Sequence, residues 1–180
     1  MDPQQLDRWL PEPAVRTHRG RTAAVAEDEL WRAASELRLA DTRRVGRLVR
    51  WRIPGTPREI TYFELLDRYP FVTLERGRNL SLSGLCGKIW TLRRDYPRLE
   101  GVEDFCDWSE PGTVRVLFAH WTESADGGRS RLVSEARVEP VDRHARRRLR
   151  ALWAMVGRFE PLIGAEPLTL AAKRAEHSAG

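Results

Sequence analysis

The sequence predicts one α+β domain, in which a first strand and short helices precede an antiparallel run of strands and a long C-terminal helix. Three observations support this prediction. From Phe71 onward, apolar and polar residues alternate with a period of two, which is typical of strands. The turn at Asp126, Gly127 and Gly128 separates two of these runs, as in a β-hairpin. After Asp142, the apolar residues instead follow the 3.6-residue period of an amphipathic helix.

The chain has 180 residues, of which 41% are hydrophobic and 32% are charged. This size and composition are typical of one globular domain with a buried core. We assign the domain to residues 14–175, between an arm at 1–13 that contains Pro11 and Pro13 and a frayed tail at 176–180. The start, MDPQQLDRWLPEP, has no apolar run, and no stretch approaches the ~20 apolar residues of a transmembrane helix. The sequence therefore predicts a cytoplasmic protein without a transmembrane segment.

The first part of the chain predicts a strand and two helices, in VRTHRGRTAAV (15–25), EDELWRAASELRL (27–39) and the segment 41–52. A third short helix is predicted in TPREITYFELLDRY. Two capping boxes compete for its start, Thr56 with Glu59 and Thr61 with Glu64.

Five strand-like runs follow, separated by turn signals: FVTLERG, RNLSLSGLCGKIW, VEDFCDW, GTVRVLFAHWTES and RSRLVSEARVEP. In the fourth run, Phe118 and His120 share the face that we predict to point inward. In the fifth run, Glu135 and Arg137 lie on the face that holds the charges, and we expect this face to be exposed to water. Their expected role there is a cross-strand ion pair with Arg115.

The last helix begins in VDRHARRRLRALW, which places five arginines and a histidine within ten residues. At about 100° per residue, the apolar side chains share a stripe roughly 120° wide, formed by Ala145, Leu149, Leu152, Trp153, Val156 and Ile163. We interpret the opposite side as solvent-exposed; it carries Arg143, Arg147, Arg150 and Arg158. A nucleic-acid patch is the alternative, but the aromatic residues lie on the apolar stripe and no recognition motif is present. Pro161 and Pro167 are expected to kink or break this helix.

Three stretches resemble the START-like superfamily, also called SRPBCC or Bet v 1-like: LSLSGLCGKIW, WSEPGTVRVLFAHW and SRLVSEARVEPVDRHARRRLRALW. The resemblance spans roughly residues 15–175 and points to an uncharacterised bacterial branch. The matching positions are Gly84, Gly87, Trp90, Phe105, Pro111, Gly112, Ser134, Glu135, Arg137, Val138 and Asp142. The resemblance implies a helix-grip fold, in which a curved antiparallel sheet wraps around the long C-terminal helix, with short helices after the first strand. It also implies a cavity between sheet and helix for lipids, polyketides, sterols or aromatic metabolites.

The candidate ligand-binding residues are those predicted to face this cavity from the strands and the last helix, with plain core packing as the alternative role for most of them. They are Leu74, Leu80, Leu82, Phe105, Val116, Phe118, His120, Leu132, Ser134, Trp153, Val156 and Phe159. His120 is also the candidate catalytic residue, because histidine titrates near neutral pH and this one is predicted on the inward face of a long strand. Trp51 and Arg52 are candidates for the mouth of the cavity.

The residues favour a protein that binds an apolar small molecule without covalent chemistry. The alternative is an enzyme of the polyketide cyclase/aromatase or dehydratase type that uses the same cavity. A second alternative is an interaction module acting through the arginine face, because a net charge of +5 permits weak contact with polyanions. The sequence contains no Ser-His-Asp set, metal-ligand cluster or phosphate-binding loop, so we expect no cofactor. The oligomeric state stays open, with a homodimer as one alternative.

Overall fold

Five strands and six α-helices make up the fold, in a computed structural model that describes residues 3–91, 96–157 and 160–179. The strands are β1 (Val15–Ala23), β2 (Val72–Gly77), β3 (Leu80–Gly87), β4 (Val114–Ala125) and β5 (Arg129–Pro140). The helices are α1 (Glu27–Ser35), α2 (Arg44–Arg52), α3 (Tyr62–Leu66), α4 (Val102–Cys106), α5 (Arg143–Val156) and α6 (Glu160–Ala179). Short 3-10 helices lie at Pro3–Arg8, Leu39–Asp41 and Asp126–Gly128. The predicted α+β class, a curved antiparallel sheet with helices that include the C-terminal one, is confirmed.

The strands form one antiparallel sheet in the order β1-β5-β4-β3-β2. The long β4–β5 hairpin lies at its centre and turns where the sequence predicts it. Gly127 and Gly128 have φ angles of 72° and 70°, a backbone conformation that glycine adopts without the steric cost of a Cβ atom. This turn fixes the register of the two strands on which the candidate site is built.

The inner face of the sheet, which carries Val116, His120 and Leu132, packs against helices. Toward one end, α1, α3 and α6 cover Leu132 in a cluster of apolar side chains. Toward the other end, Ala145 and Leu149 of α5 pack on Val116 and its neighbours. The predicted helical stripe is therefore buried where it starts, at Ala145 and Leu149, while Leu152 and Trp153 are partly exposed.

The outer face of the sheet, which carries Leu117, Ala119 and Trp121, is also buried, with at most 1% of each residue exposed. The N-terminal arm crosses this face and contributes Leu6 and Leu10, both fully buried. The sheet is therefore covered on both sides, by helices on the inner face and by the arm and α4 on the outer face.

The prediction that Glu135 and Arg137 face water is wrong, because the arm covers them. Both residues are 1% exposed. Arg137 Nε lies 2.6 Å from Glu135 Oε1, and the Arg137 guanidinium also pairs with Asp7 of the arm. Arg115 instead pairs with Glu139, its cross-strand neighbour.

The segment VEDFCDW contains helix α4, so the prediction of a strand there is wrong. Val102 and Phe105 are three residues apart, and two acidic residues occupy the first turn, as a helix N-terminus favours. The aromatic ring of Phe105 lies directly over Gly84 of β3. A Cβ atom at Gly84 would be 2.5 Å from a ring carbon, so only glycine allows this contact without a shift.

Two contacts outside the sheet set the positions of α2 and α3. Of the two competing capping boxes, Thr61 and Glu64 form the one at the start of α3, with Glu64 N donating to Thr61 Oγ1 over 3.2 Å. The N-cap residue of α2, Arg43, supplies no capping side chain, but the preceding Thr42 accepts a hydrogen bond from Gly46 N at its Oγ1 atom over 2.9 Å. In addition, the Glu166 carboxylate of α6 accepts hydrogen bonds from the backbone amides of Arg44 and Val45, each over 2.9 Å. This carboxylate satisfies amides that a helix start leaves without partners.

The C-terminal region consists of two helices, α5 and α6, where the sequence predicts one. Pro161 is the second residue of α6, where a missing amide proton is tolerated. Pro167 lies inside α6, and the helix continues through it, so of the expected kink or break no break occurs there. The tail expected to be frayed continues α6 to Ala179, where Glu176 accepts a hydrogen bond from Ala24 N over 3.2 Å.

Candidate functional site

A row of polar side chains crosses the inner face of the sheet from one edge to the other. In an antiparallel sheet, residues that lie directly opposite each other on neighbouring strands point to the same side. The register pairs Ser81 of β3 with His120 of β4, and His120 with Ser134 of β5. Arg76 of β2 and Arg19 of β1 extend the row at its two ends. We call these five residues the polar row.

His120 at the centre of the polar row is 3% exposed and lies among aromatic rings. The rings of Tyr62 and Phe63 both have their centroids 5.4 Å from that of the histidine, in edge-on geometry. Its Nδ1 atom is buried and has no hydrogen-bond partner among the described residues. Ser83 Oγ and Thr122 Oγ1, on the same inner face, are buried without partners in the same part of the structure. Buried polar atoms are usually hydrogen-bonded, so these three atoms on neighbouring strands are available to pair with a water or a bound molecule.

The environment of His120 keeps its imidazole neutral. Burial lowers the pKa of His120 from 6.5 to about 3, with a smaller contribution from the positive charge of Arg76. A neutral imidazole offers one nitrogen as a donor and the other as an acceptor. A general acid or base works best with a pKa near the operating pH, so this environment suits hydrogen bonding better than proton transfer.

This lowered pKa makes the stability of the protein depend on pH. Between pH 6.5 and about 3, the unfolded histidine takes up a proton while the folded one stays neutral. The stability is therefore full above pH 6.5 and falls as the pH falls, by about 1.4 kcal/mol per pH unit from this residue alone. Urea unfolding of the wild type and of His120→Phe at several pH values measures this slope. An equal dependence of stability on pH in the two proteins would contradict a lowered pKa of His120.

The space next to His120 is small. It measures about 20 Å³ and lies between β4, β5, α1, α3 and α6. Its lining residues include Tyr62, Ser134 and Pro167. This volume holds about one water molecule and is too small for a lipid or a polyketide. The described residues therefore do not enclose the large cavity that the resemblance implies.

Beside His120, some side chains of the inner face remain partly accessible to solvent. Phe118 and Ala136 face each other on β4 and β5 and stay partly exposed, as does Ser134. Val116, on the same face of β4, is only 4% exposed. Phe118 also contacts Phe71, with 5.8 Å between ring centroids. An accessible aromatic surface thus adjoins the polar row.

The structure divides the predicted ligand-binding residues between the two faces of the sheet. Five lie on the inner face as predicted: Val116, Phe118, His120, Leu132 and Ser134. Four lie on the outer face, which is a correction: Leu74, Leu80, Leu82 and Phe105. Trp153 is partly exposed on α5. The side chain of Val156 and the whole of Phe159 lie outside the described residues.

The outer-face corrections have a physical cause. Leu82 pairs with Ala119, which fixes it on the side opposite His120. A bulge between Thr73 and Glu75 of β2 leaves Leu74 on that side as well. Because both faces of the sheet are apolar, alternation groups the leucines correctly but does not indicate which group faces the helices.

Sequence reasoning missed seven site residues: Arg19, Tyr62, Phe63, Arg76, Thr122, Ser83 and Ser81. The run LSLSG carries a signal for the last of these, since small polar residues alternate with leucines there. Arg76 lies beside Ser81 in the folded sheet and hydrogen-bonds to its hydroxyl. No local pattern brings the two α3 aromatic residues to His120, because this contact depends on how α3 packs on the sheet.

A comparison of the fold with solved structures found two proteins with low similarity to this chain. No family model matches the chain, and no curated protein matches it. TTHA0849 from Thermus thermophilus is 10% identical, with a TM-score of 0.37 over 92% of this chain and 100% of that one. The Zhui aromatase/cyclase from Streptomyces sp. R1128 is 17% identical, with a TM-score of 0.36 over 92% of this chain and 96% of that one. At this similarity neither structure assigns a family or an activity to the chain. In the part of the chain that the structure describes, no helix is long and apolar enough to span a bilayer.

Proposed function

We propose that the chain binds a small molecule with an apolar body and at least one polar group on the inner face of its sheet. Lipids, polyketides and aromatic metabolites have this chemistry. The observation that carries the proposal is a set of three buried polar atoms that have no hydrogen-bond partner among the described residues, His120 Nδ1, Ser83 Oγ and Thr122 Oγ1. Each such atom costs about 1–3 kcal/mol if it stays unpaired, and a ligand hydroxyl or carbonyl would remove part of that cost.

The apolar part of the ligand would pack on the accessible surface of Phe118, Phe71 and Ala136. The space of about 20 Å³ is too small for it, so binding requires α6 to move away from the sheet. Gly164, Pro167, Leu168 and Ala171 form the α6 side of this space. All but Leu168 have short side chains, so we expect a shift of α6 to open the inner face beside the polar row.

The same geometry favours binding over acid–base catalysis. The cyclase alternative needs a group that gains and loses a proton near neutral pH, and the pKa of His120 is lowered to about 3. A neutral His120 still orients a ligand through its hydrogen bonds. We therefore propose non-covalent binding as the function of this site.

Thermal-shift and calorimetric titration with a panel of fatty acids, sterols and aromatic polyketides tests this proposal. We expect at least one compound to stabilise the wild type. His120→Phe keeps the ring but removes both nitrogens, so it should bind that compound roughly 2–10-fold more weakly, as the loss of one hydrogen bond predicts. The same substitution should leave the ligand-free protein as stable as the wild type or more stable, because it removes an unpaired buried group.

Phe105→Leu is the matched control, since it changes an aromatic residue of the outer face. We expect it to bind the compound as tightly as the wild type. Equal affinity in His120→Phe and the wild type would show that the ligand does not contact the polar row and would refute the proposed site. A panel in which no compound stabilises the protein would refute the proposed function.

A further inference from the structure

The segment from Thr42 to Arg58 is strongly basic, and neither the fold nor the inner face explains this. It contains six arginines and no acidic residue. Arg44 and Arg47 on α2 are exposed, and Arg50 is half-buried. Within the described part of the chain, none of these three arginines forms an ion pair. Its acidic neighbours are already engaged: Asp41 pairs with Arg174, Glu59 pairs with Arg38, and Glu166 accepts hydrogen bonds from the backbone amides at the start of α2.

Large apolar side chains lie exposed beside these arginines. Leu48 is 40% exposed and Trp51 is 57% exposed, one helical turn apart on α2. The loop after α2 then borders an open apolar pocket of about 370 Å³, whose lining includes Ile53, Pro54 and Tyr69. Tyr69, which also lines this pocket, is 52% exposed. We call Arg44, Arg47, Arg50, Leu48, Trp51 and Tyr69, with the pocket between them, the α2 surface.

We propose that the α2 surface binds the surface of an anionic phospholipid bilayer. Tryptophan and tyrosine side chains favour the headgroup region, where an apolar ring meets a polar surrounding. Arginines next to them are attracted to anionic lipids, and their long stems lie along the apolar region while the guanidinium stays in water. Leu48 and the apolar pocket would receive acyl chains at the depth that interfacial helices reach.

A lipid bilayer fits this surface better than a nucleic acid does. A nucleic acid would use the arginines and could stack a base on Trp51. It would leave Leu48 and the apolar pocket in water, whereas a bilayer covers both. The arginine face of α5 shows the contrast: Arg143, Arg147 and Arg150 are also exposed. On that helix, however, the large apolar residue that is exposed, Met155, lies past the arginines rather than among them.

Flotation of the full chain with vesicles of phosphatidylcholine, with and without about 30 mol% phosphatidylserine, tests this proposal. We expect binding only to the anionic vesicles, weakening as salt is added. The triple variant Arg44→Ser, Arg47→Ser, Arg50→Ser should bind at least tenfold more weakly. Trp51→Ser should also bind several-fold more weakly, although its net charge is unchanged.

The matched control removes three arginines elsewhere, as Arg143→Ser, Arg147→Ser, Arg150→Ser. It should bind the vesicles within about twofold of the wild type, because it has the same net charge as the α2 variant but an intact α2 surface. An equal loss in both triple variants, or no binding of the wild type to anionic vesicles, would overturn the proposal. Tighter binding to single-stranded RNA than to the vesicles, lost in the same α2 variant, would overturn it in favour of a nucleic acid. The proposal does not depend on the inner-face site, and neither triple variant alters that site.

Discussion

Replacing Arg137 by methionine is expected to lower the free energy of unfolding by about 3 kcal/mol, the lower end of the usual cost of breaking a buried ion pair. The side chains of Arg137 and Glu135 are 1% and 0% exposed, so the remaining carboxylate cannot be rehydrated in the folded protein. The loss stays at the lower end because Arg16 and His18 still contact Glu135, at 2.9 and 2.8 Å. Chemical denaturation measures the change.

The control for this variant is Arg78→Met, which removes the same charge from an exposed pair. Arg78 and Asp28 are 84% and 55% exposed, and such pairs contribute about 1 kcal/mol or less. If the two variants lose equal stability, the buried network is not what holds the arm to the sheet.

The dependence of stability on acidic pH is a second measurement of this network. Burial acts to raise the pKa of Glu135, but hydrogen bonds from His18, Arg137 and Arg16 outweigh it and hold the pKa below its usual value. The network therefore contributes its full stabilisation at pH values above the usual pKa of a glutamate. This contribution is lost as the pH falls through the lowered pKa of Glu135.

Removing the apolar side chains of the arm is expected to have an effect of similar size. Leu6 and Leu10 are fully buried against the outer face. We expect Leu6→Ala and Leu10→Ala each to lower the free energy of unfolding by about 2–5 kcal/mol, from lost burial plus the cavity that remains. Limited proteolysis should then cleave the arm of each variant faster than that of the wild type.

Val102→Ala is the control, because Val102 is 36% exposed on α4 and its truncation should change stability by about 0.5 kcal/mol or less. Arm variants that unfold at the wild-type denaturant concentration would show that the arm does not stay on the sheet in solution. The outer face would then be exposed, and the prediction that Glu135 and Arg137 face water would regain its physical basis.

Local patterns predicted the parts of the fold in which the chain pairs with its immediate neighbours. Turn chemistry and periodicity predict three of these parts: the β4–β5 hairpin, the inward direction of Val116, Phe118 and His120, and the helix after Asp142. These features depend on residues a few positions apart, so a single sequence contains the information. The buried start of α5, at Ala145 and Leu149, was predictable for the same reason.

The errors concern contacts between distant parts of the chain. Glu135 and Arg137 read as a solvent-exposed pattern, because nothing near them in sequence indicates that Asp7 and Leu10 of the arm will cover them. Once covered, their charges are stabilised by one another and by Arg16. The burial of the outer face then also explains why Leu82 and Phe105 were assigned to the wrong side of the sheet.

The candidate site was predictable only in part, and for a similar reason. His120 and Ser134 follow from strand alternation, but the polar row needs the pairing of β3 with β4, which brings Ser81 beside His120. The size of the space beside them depends on how closely α6 approaches the sheet. Small residues such as Ala171 and Ala172 allow this close approach, and sequence periodicity does not report it.

Native mass spectrometry of the freshly purified protein, with organic extraction of the same sample, measures directly whether the inner face holds a ligand. We expect the wild type to carry a non-covalently bound apolar molecule that extraction releases, and we expect His120→Phe to retain less of it. A mass equal to that of the chain alone, both as purified and after incubation with each compound of the panel, would contradict the claim that the inner face binds a ligand.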